Sequence, residues 1–119
     1  MDRDINVLKH MLEYCNDITT DCNRMGNDLE TFKNDKLYQK AVTMSLLQIG
    51  ELTTHLTDEF KEQTADELDW RNLKGLRNIV AHRYGTIQFD TIWNIKENDI
   101  PQIVSFCKKY IDLIGKDKE

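Results

Sequence analysis

Residues 2–25 read DRDINVLKHMLEYCNDITTDCNRM and carry the clearest periodic pattern in the chain. The positions that define it step by alternating fours and threes, and all but the first are apolar: Asp4, Leu8, Met11, Cys15, Ile18, Cys22, Met25 and Leu29. Because this spacing keeps side chains on one face of a helix, it predicts a long amphipathic α-helix over about residues 2–25. Gly26-Asn27 is typical of a helix end, so the helix is predicted to stop there.

A second helix is predicted to begin after Asn34 or Asp35, either of which can cap it, and to run to about Leu56 or beyond. Its apolar residues form two adjacent stripes. One stripe comprises Tyr38, Val42, Leu46, Ile49, Leu56 and Phe60, and the other comprises Leu37, Ala41, Met44 and Leu52. This pattern fits a central helix of the bundle and also a subunit interface, and the two interpretations are compatible. Gly50 lowers helix stability relative to alanine, and a close helix–helix approach would explain it.

The next segments also have helical signals. The sequence Thr57-Asp58-Glu59 is expected to cap a short helical continuation, and residues 64–69 are predicted to form a polar connection. Asp69 is a suitable N-cap for a third helix from Trp70 to about Arg83, which is predicted to end at Gly85.

A final helical stretch is predicted over residues 88–115, and Pro101 is expected either to break it or to kink it, because proline lacks a backbone N–H donor. No segment shows a period of two bounded by turns. The sequence therefore predicts an all-α fold, an antiparallel up-and-down bundle of four to five helices, in a single domain over residues 1–119.

The composition is that of a globular chain, with 39% hydrophobic and 31% charged residues in 119. No apolar run approaches the roughly 20 residues that a membrane span requires, and the N-terminal residues do not resemble a secretion signal. We therefore expect a cytoplasmic protein with no membrane partner. None of the three cysteines lies in a Cys-x-x-Cys motif, so we expect buried thiols without a disulfide or zinc. His10 and His55 lack companions at metal-ligand spacing, and no metal site is expected.

The charge is unevenly distributed along the chain. The net charge is −5, yet residues 70–84 contain four basic residues and no acidic residue. The other 104 residues contain 12 basic and 21 acidic residues. This pattern indicates a local site for an anionic ligand and argues against a broad surface for duplex DNA.

The same basic segment holds the side chains that chemistry on a phosphodiester requires. Residues 76–85 read LRNIVAHRYG and bring together a guanidinium, an amide, an imidazole and a phenol. An arginine can stabilise the charge of a phosphorane, and a histidine can transfer protons near neutral pH. RNA supplies its own nucleophile, the 2′-hydroxyl, so neither a metal nor another cofactor is needed.

Helical geometry constrains this site. Arg71, Lys74, Asn78 and His82 are spaced by three or four and share one face. Arg77 and His82 are five positions apart, which separates them by about 140° around an ideal helix. Arg77 must therefore reach around the helix, or the helix must tighten near Gly85, or a second subunit must complete the site. A twofold dimer would place two copies of this helix about one cleft.

The segment Arg-Asn-x-x-x-His-x-Tyr resembles the Arg-x4-His-x-Tyr signature of the HepT branch of HEPN-domain proteins. The resemblance extends over nearly the whole chain. It includes Gln48-Ile49-Gly50-Glu51, Trp70, Gly75-Leu76-Arg77-Asn78, Ala81-His82-x-Tyr84, Ile87, Trp93 and Pro101.

This resemblance implies a homodimeric ribonuclease toxin whose Arg and His line a cleft between subunits. The implied partner is an MntA-like nucleotidyltransferase antitoxin, which would transfer AMP from ATP to Tyr84 and so oppose RNA binding through added negative charge. The implied RNA products end in a 2′,3′-cyclic phosphate or its hydrolysed form.

The resemblance also assigns roles to individual residues. His82 would be the general acid and base, and Arg77 would bind the scissile phosphate. Asn78 would orient His82 or bind a phosphate oxygen, and Tyr84 would position the substrate and receive the modification. The remaining basic residues are expected to contact the RNA backbone: Arg71, Lys74 and Arg83.

Two other functions remain open from the sequence. The chain could be a non-catalytic nucleotide- or RNA-binding partner of a nucleotidyltransferase, or a purely structural helical dimer. The role of Glu51 is also open, because it could orient a motif residue across the helix pair or simply balance the positive charge.

Overall fold

The computed structural model describes the backbone of residues 2–83 and 89–117, with side chains over residues 3–77 and 89–115. The described residues form six helices and no strand: α1 (Asp2–Met25), α2 (Leu29–Lys33), α3 (Lys36–Thr53), α4 (Asp58–Gln63), α5 (Trp70–Arg83) and α6 (Phe89–Asp117). The predicted all-α class is confirmed. Within those ranges, none of the helices has the length and apolar character needed to cross a membrane.

Helix α1 has the predicted bounds and the predicted buried face. Its apolar stripe is almost completely inaccessible from Leu8 to Cys22. Gly26 ends the helix with a φ of 115°, a left-handed conformation that glycine adopts without steric cost.

The first position of that stripe, Asp4, is buried although it is charged. Its carboxylate accepts hydrogen bonds from the backbone N–H and the hydroxyl of Thr57, both at 2.8 Å. Thr57 is the N-cap of α4. Asp4 therefore ties the beginning of α1 to the beginning of α4.

The long helices run antiparallel, as predicted. Arg3 Nε donates to the carbonyl oxygen of His55 at 2.6 Å, so the beginning of α1 lies beside the turn that follows α3. The Tyr38 hydroxyl donates to the Gly26 carbonyl at 2.9 Å, so the end of α1 lies beside the beginning of α3. Lys96, near the beginning of α6, hydrogen-bonds Asn27 at the end of α1. Helix α1 therefore packs antiparallel to both α3 and α6.

The number of helices is higher than the predicted four to five because the connection after α1 contains α2. Asp28 caps this short helix, and its carboxylate accepts from the backbone N–H of Thr31 at 2.9 Å. Phe32 of α2 is fully buried and packs against the rings of Tyr38 and Trp93. A local cap and one aromatic anchor together explain this helix.

Two helix boundaries are resolved by their caps. Of the two predicted caps of α3, Asp35 is the one used, and its carboxylate accepts from the Tyr38 N–H at 3.1 Å. Helix α3 ends at Thr53, earlier than the predicted Leu56, because Thr54–Leu56 turn the chain toward the N-cap at Thr57. The predicted short continuation at residues 57–59 is confirmed as the start of α4.

Helix α6 continues through Pro101 without interruption from Phe89 to Asp117. Of the two outcomes predicted for this proline, a break or a kink, the break is excluded. Ile100 and Ile103 are buried on either side of it, so packing against the bundle holds the helix together despite the missing backbone donor.

Candidate active site

The basic segment lies on α5, whose start is fixed as predicted. The Asp69 carboxylate accepts from the Asn72 N–H at 3.0 Å and so caps the first turn. Leu73 and Leu76 are buried, while the half-buried Trp70 donates from Nε1 to the Thr64 hydroxyl at 3.0 Å. These contacts anchor one face of α5 in the core, and Arg71 and Lys74 lie exposed on the other side.

Helices α3 and α5 are in direct backbone contact at Gly50. A Cβ atom at position 50 would lie 3.1 Å from the Arg77 backbone nitrogen and 3.1 Å from the Leu73 carbonyl oxygen. A side chain at position 50 would push the two helices apart by a few tenths of an ångström, so glycine favours the observed separation. The close approach predicted from Gly50 is therefore confirmed, and its partner is the helix that carries the motif.

This contact brings Glu51 beside Arg77. Arg77 Nε lies 3.6 Å from Glu51 Oε2, and the two side chains are 39% and 49% exposed. The distance is that of an ion pair and exceeds hydrogen-bond length. Half-exposed pairs of this kind contribute at most about 1 kcal/mol to folding. This contact is compatible with both interpretations left open for Glu51, orientation of a motif residue and balance of the positive charge.

The backbone of α5 keeps α-helical geometry through Arg83. Tightening of the helix before that residue is therefore not found, and positions 77 and 82 remain about 140° apart around the axis. The side chains of Asn78, His82 and Arg83 lie outside the described residues, as does Tyr84 entirely. Of the predicted site residues, the structure thus places the side chains of Arg71, Lys74 and Arg77.

Arg71 lies in a different electrostatic environment from Arg77. It lines a shallow cavity of about 640 Å³ between α4, the 64–69 turn and the start of α5. Carboxylates dominate that cavity: Asp58, Glu62, Asp66, Glu67 and Asp69. These negative charges disfavour the binding of an RNA phosphate at Arg71. Arg77 does not line this cavity.

One face of α3 remains partly uncovered. The stripe that begins at Tyr38 is buried, but Leu37 and Met44 of the second stripe are 67% and 56% exposed. Glu51 follows at the same seven-residue spacing and is also exposed. Leu37, Met44 and Glu51 therefore lie along one side of α3, which we call the α3 face.

The cysteine thiols are not available for catalysis. All three cysteines are buried and free, as predicted. Burial raises the pKa of both Cys15 and Cys107 to about 12, so neither forms a thiolate near neutral pH. Among the described residues, no group of three or more His, Cys, Asp and Glu side chains could hold a metal ion.

The sequence contained the signal for the Glu51–Arg77 pair only indirectly. Gly50 indicated a close helix contact, but the helix on the other side of that contact could not be read from the pattern. Glu51 directly follows that glycine, so a glycine inside a long helix, followed by a charged residue, was the available clue.

Comparison with known proteins places the chain in a family. The family model described as ribonuclease HepT-like matches residues 8–110. The candidate RNase MJ1380 of Methanocaldococcus jannaschii is 31% identical over 113 residues, which cover 94% of this chain and 97% of that protein. The candidate RNase MJ1216 of the same organism is 31% identical over 118 residues, covering 98% of this chain and 95% of that protein.

A protein of Thermococcus cleftensis named "Probable ribonuclease HepT" is 31% identical over 74 residues, which cover 62% of this chain and 66% of that protein. No solved structure matches the chain. The matched region includes Glu51, Arg77 and the three motif positions that follow, and it confirms the predicted resemblance and the predicted enzyme class, a ribonuclease. The chain belongs to the ribonuclease HepT-like family.

Proposed function

We propose that this protein is a metal-independent endoribonuclease that cuts RNA at a site formed by Arg77 and His82 in a homodimer cleft. The observation that carries the proposal is the half-exposed guanidinium of Arg77, on a basic helix of an acidic chain and five positions before His82. We further propose that residues 1–119 act as one domain in the cytoplasm, with no cofactor.

The reaction needs one proton transfer at each end of the cleaved bond. His82 removes the proton of the 2′-hydroxyl, and the resulting oxygen attacks the adjacent phosphorus. Arg77 stabilises the charge of the phosphorane, and the 5′-oxygen leaves with a proton from an imidazolium. The products are a 2′,3′-cyclic phosphate and a 5′-hydroxyl. The imidazolium that His82 becomes in the first transfer is available to supply that proton.

Two observations support the dimer. Helix α5 stays regular through Arg83, so positions 77 and 82 lie about 140° apart around its axis. The α3 face exposes Leu37 and Met44, large apolar side chains that a second copy of the chain would cover. We propose that the second copy packs on the α3 face and completes the cleft.

The remaining motif residues have supporting roles in this proposal. Asn78 orients His82 or binds a phosphate oxygen, and Tyr84 positions the RNA. Lys74 and Arg83 contact the RNA backbone, with Arg71 as the weakest of these contacts because of its acidic surroundings.

We propose that the protein is the toxin of a toxin–antitoxin pair, and that an MntA-like nucleotidyltransferase inactivates it by transferring AMP to Tyr84. The modification would add a bulky negative group beside the cationic site and thereby weaken phosphate binding. Intact-mass measurement after incubation with ATP and such an enzyme detects the transfer.

The direct test is RNA cleavage in the presence of EDTA. The wild-type protein should cleave RNA, and His82→Ala should reduce the rate by about 100-fold or more, the scale of a lost general acid or base. His10→Ala, at an exposed histidine on α1, is the matched control and should retain the rate. If wild type does not cleave, or if His82→Ala cleaves normally, the proposal is wrong and a non-catalytic binding role is favoured.

A further inference from the structure

The ion pair between Glu51 and Arg77 joins two helices whose separation is fixed. Gly50 allows α3 to touch the backbone of α5 at Leu73 and Arg77. Glu51 is the next residue after Gly50, so its backbone is held at the same contact. The carboxylate then lies 3.6 Å from Nε of Arg77. The packing of α3 against α5 therefore sets the position of Glu51 relative to Arg77.

The pair uses a particular part of the guanidinium. Arginine has five N–H donors, one on Nε and four on the two terminal nitrogens. Contact with Glu51 is made at Nε, so this contact does not use the four donors on the terminal nitrogens. An arginine held on one side by a carboxylate and open on the other can bind a phosphate with two parallel hydrogen bonds.

Fold stability does not explain the presence of this carboxylate. Both side chains are close to half exposed, and ion pairs in that setting add little to folding. A negative charge beside a phosphate site also opposes RNA binding electrostatically. The position of the carboxylate beside Arg77, and not a contribution to folding, therefore carries the inference.

We propose that Glu51 is a positioning residue that orients the guanidinium of Arg77 toward the scissile phosphate. The inference rests on the proposed ribonuclease function. Arginine has a flexible side chain, and restricting it beforehand lowers the entropic cost of reaching the transition state. Glu51 acts through Arg77 and does not touch the RNA.

A positioning role for Glu51 predicts different effects of its substitution on kcat and on KM. Glu51→Gln keeps the shape of the side chain but removes its charge, so Arg77 loses its restraint and the phosphate loses a repelling neighbour. The kcat of RNA cleavage should fall by about tenfold, which corresponds to a loss of about 1.4 kcal/mol in transition-state stabilisation, while KM stays constant or falls. If Glu51 only balances charge, KM falls and kcat does not change, and this result overturns the inference.

A double-mutant cycle tests whether Glu51 acts through Arg77. Arg77→Lys keeps the positive charge but lacks an Nε donor and the planar fork. In that background, Glu51→Gln should have less than a twofold further effect on kcat, because no planar guanidinium remains to be oriented. An undiminished tenfold loss in the Arg77→Lys background would show that Glu51 acts independently of Arg77 and would overturn the inference.

The controls distinguish this inference from the proposed function. Glu13→Gln removes a carboxylate that lies 3.6 Å from His10 on the surface of α1, and it should leave both kcat and KM unchanged. The melting temperatures of all variants should agree within a few degrees, as expected for an exposed pair. Inert wild-type protein overturns the ribonuclease proposal itself. Active wild-type protein with an equally active Glu51→Gln variant overturns only the role of Glu51.

Discussion

At residue 4, an aspartate occupies the first position of an otherwise apolar stripe on α1. The periodic pattern shows that Asp4 is an exception but does not explain why a charged residue is there. The reason is a contact with Thr57, 53 positions along the chain, whose N–H and hydroxyl both donate to the carboxylate. Helical periodicity describes neighbours within one helix, so it cannot identify a partner that belongs to another helix.

The contact between Asp4 and Thr57 predicts that a substitution at Asp4 lowers the free energy of unfolding. Asp4→Ala removes two hydrogen bonds to a charged acceptor and leaves the Thr57 N–H without its partner. We expect the free energy of unfolding to decrease by about 2–3 kcal/mol, measured by urea denaturation. Asp17→Ala, an exposed position on the same helix, should change it by less than about 0.5 kcal/mol. Equal effects of the two substitutions would show that the Asp4 contacts contribute nothing specific.

Glu51 and Arg77 show the same limit at the candidate site. The sequence identified Arg77 from its place in a basic segment and from the motif that follows it. Its ion-pair partner lies 26 positions earlier on a different helix, so only the packing of α3 against α5 could assign it.

Among the helices, the contact between α3 and α5 is the one that positions the site. The sequence predicted a close approach at Gly50, because glycine within a helix lowers stability and therefore needs a packing reason. The structure supplies the partner, the backbone of α5 at Leu73 and Arg77.

Two glycines on these helices give a matched pair of substitutions. In Gly50→Ala, the new methyl group meets backbone atoms of α5 at 3.1 Å, which must move apart, so we expect a loss of about 1–3 kcal/mol in unfolding free energy and reduced RNA cleavage. In Gly75→Ala, the new methyl group meets nothing within 4 Å, so the better helix propensity should raise stability by about 0.5–1 kcal/mol. Urea denaturation measures both. If Gly50→Ala is as stabilising as Gly75→Ala, the helices are not in close contact at this position.

The longer helices were predictable because their signals are local. The fours-and-threes stripe gave α1, and caps at Asp35, Thr57 and Asp69 gave the starts of α3, α4 and α5. Helix α2 was missed because five residues are too few to show a period, and only the Asp28 cap indicated it. At Pro101 the local rule allowed a break, and packing of the neighbouring isoleucines prevented it.

At the scale of the whole molecule, the proposed site depends on a second copy of the chain. The two stripes of α3 differ in their burial: the first closes the core, and the second leaves Leu37 and Met44 in solvent. Glu51 lies on the same exposed side of α3, seven residues after Met44. A second copy on the α3 face would therefore also reduce the water around the Glu51–Arg77 pair and strengthen the attraction between the two charges.

A site that takes Arg77 from one subunit and His82 from the other is tested most directly by complementation between two inactive variants. Arg77→Ala and His82→Ala proteins are unfolded together and refolded as a mixture, and RNA cleavage is measured in EDTA. Random pairing produces heterodimers in which one site has both intact residues, so about a quarter of wild-type activity should return. Met44→Lys in both variants should abolish this recovery, whereas Leu113→Lys, an exposed apolar position on α6, should preserve it. A mixture that stays inactive, although heterodimers are detected by mass, would contradict the composite site.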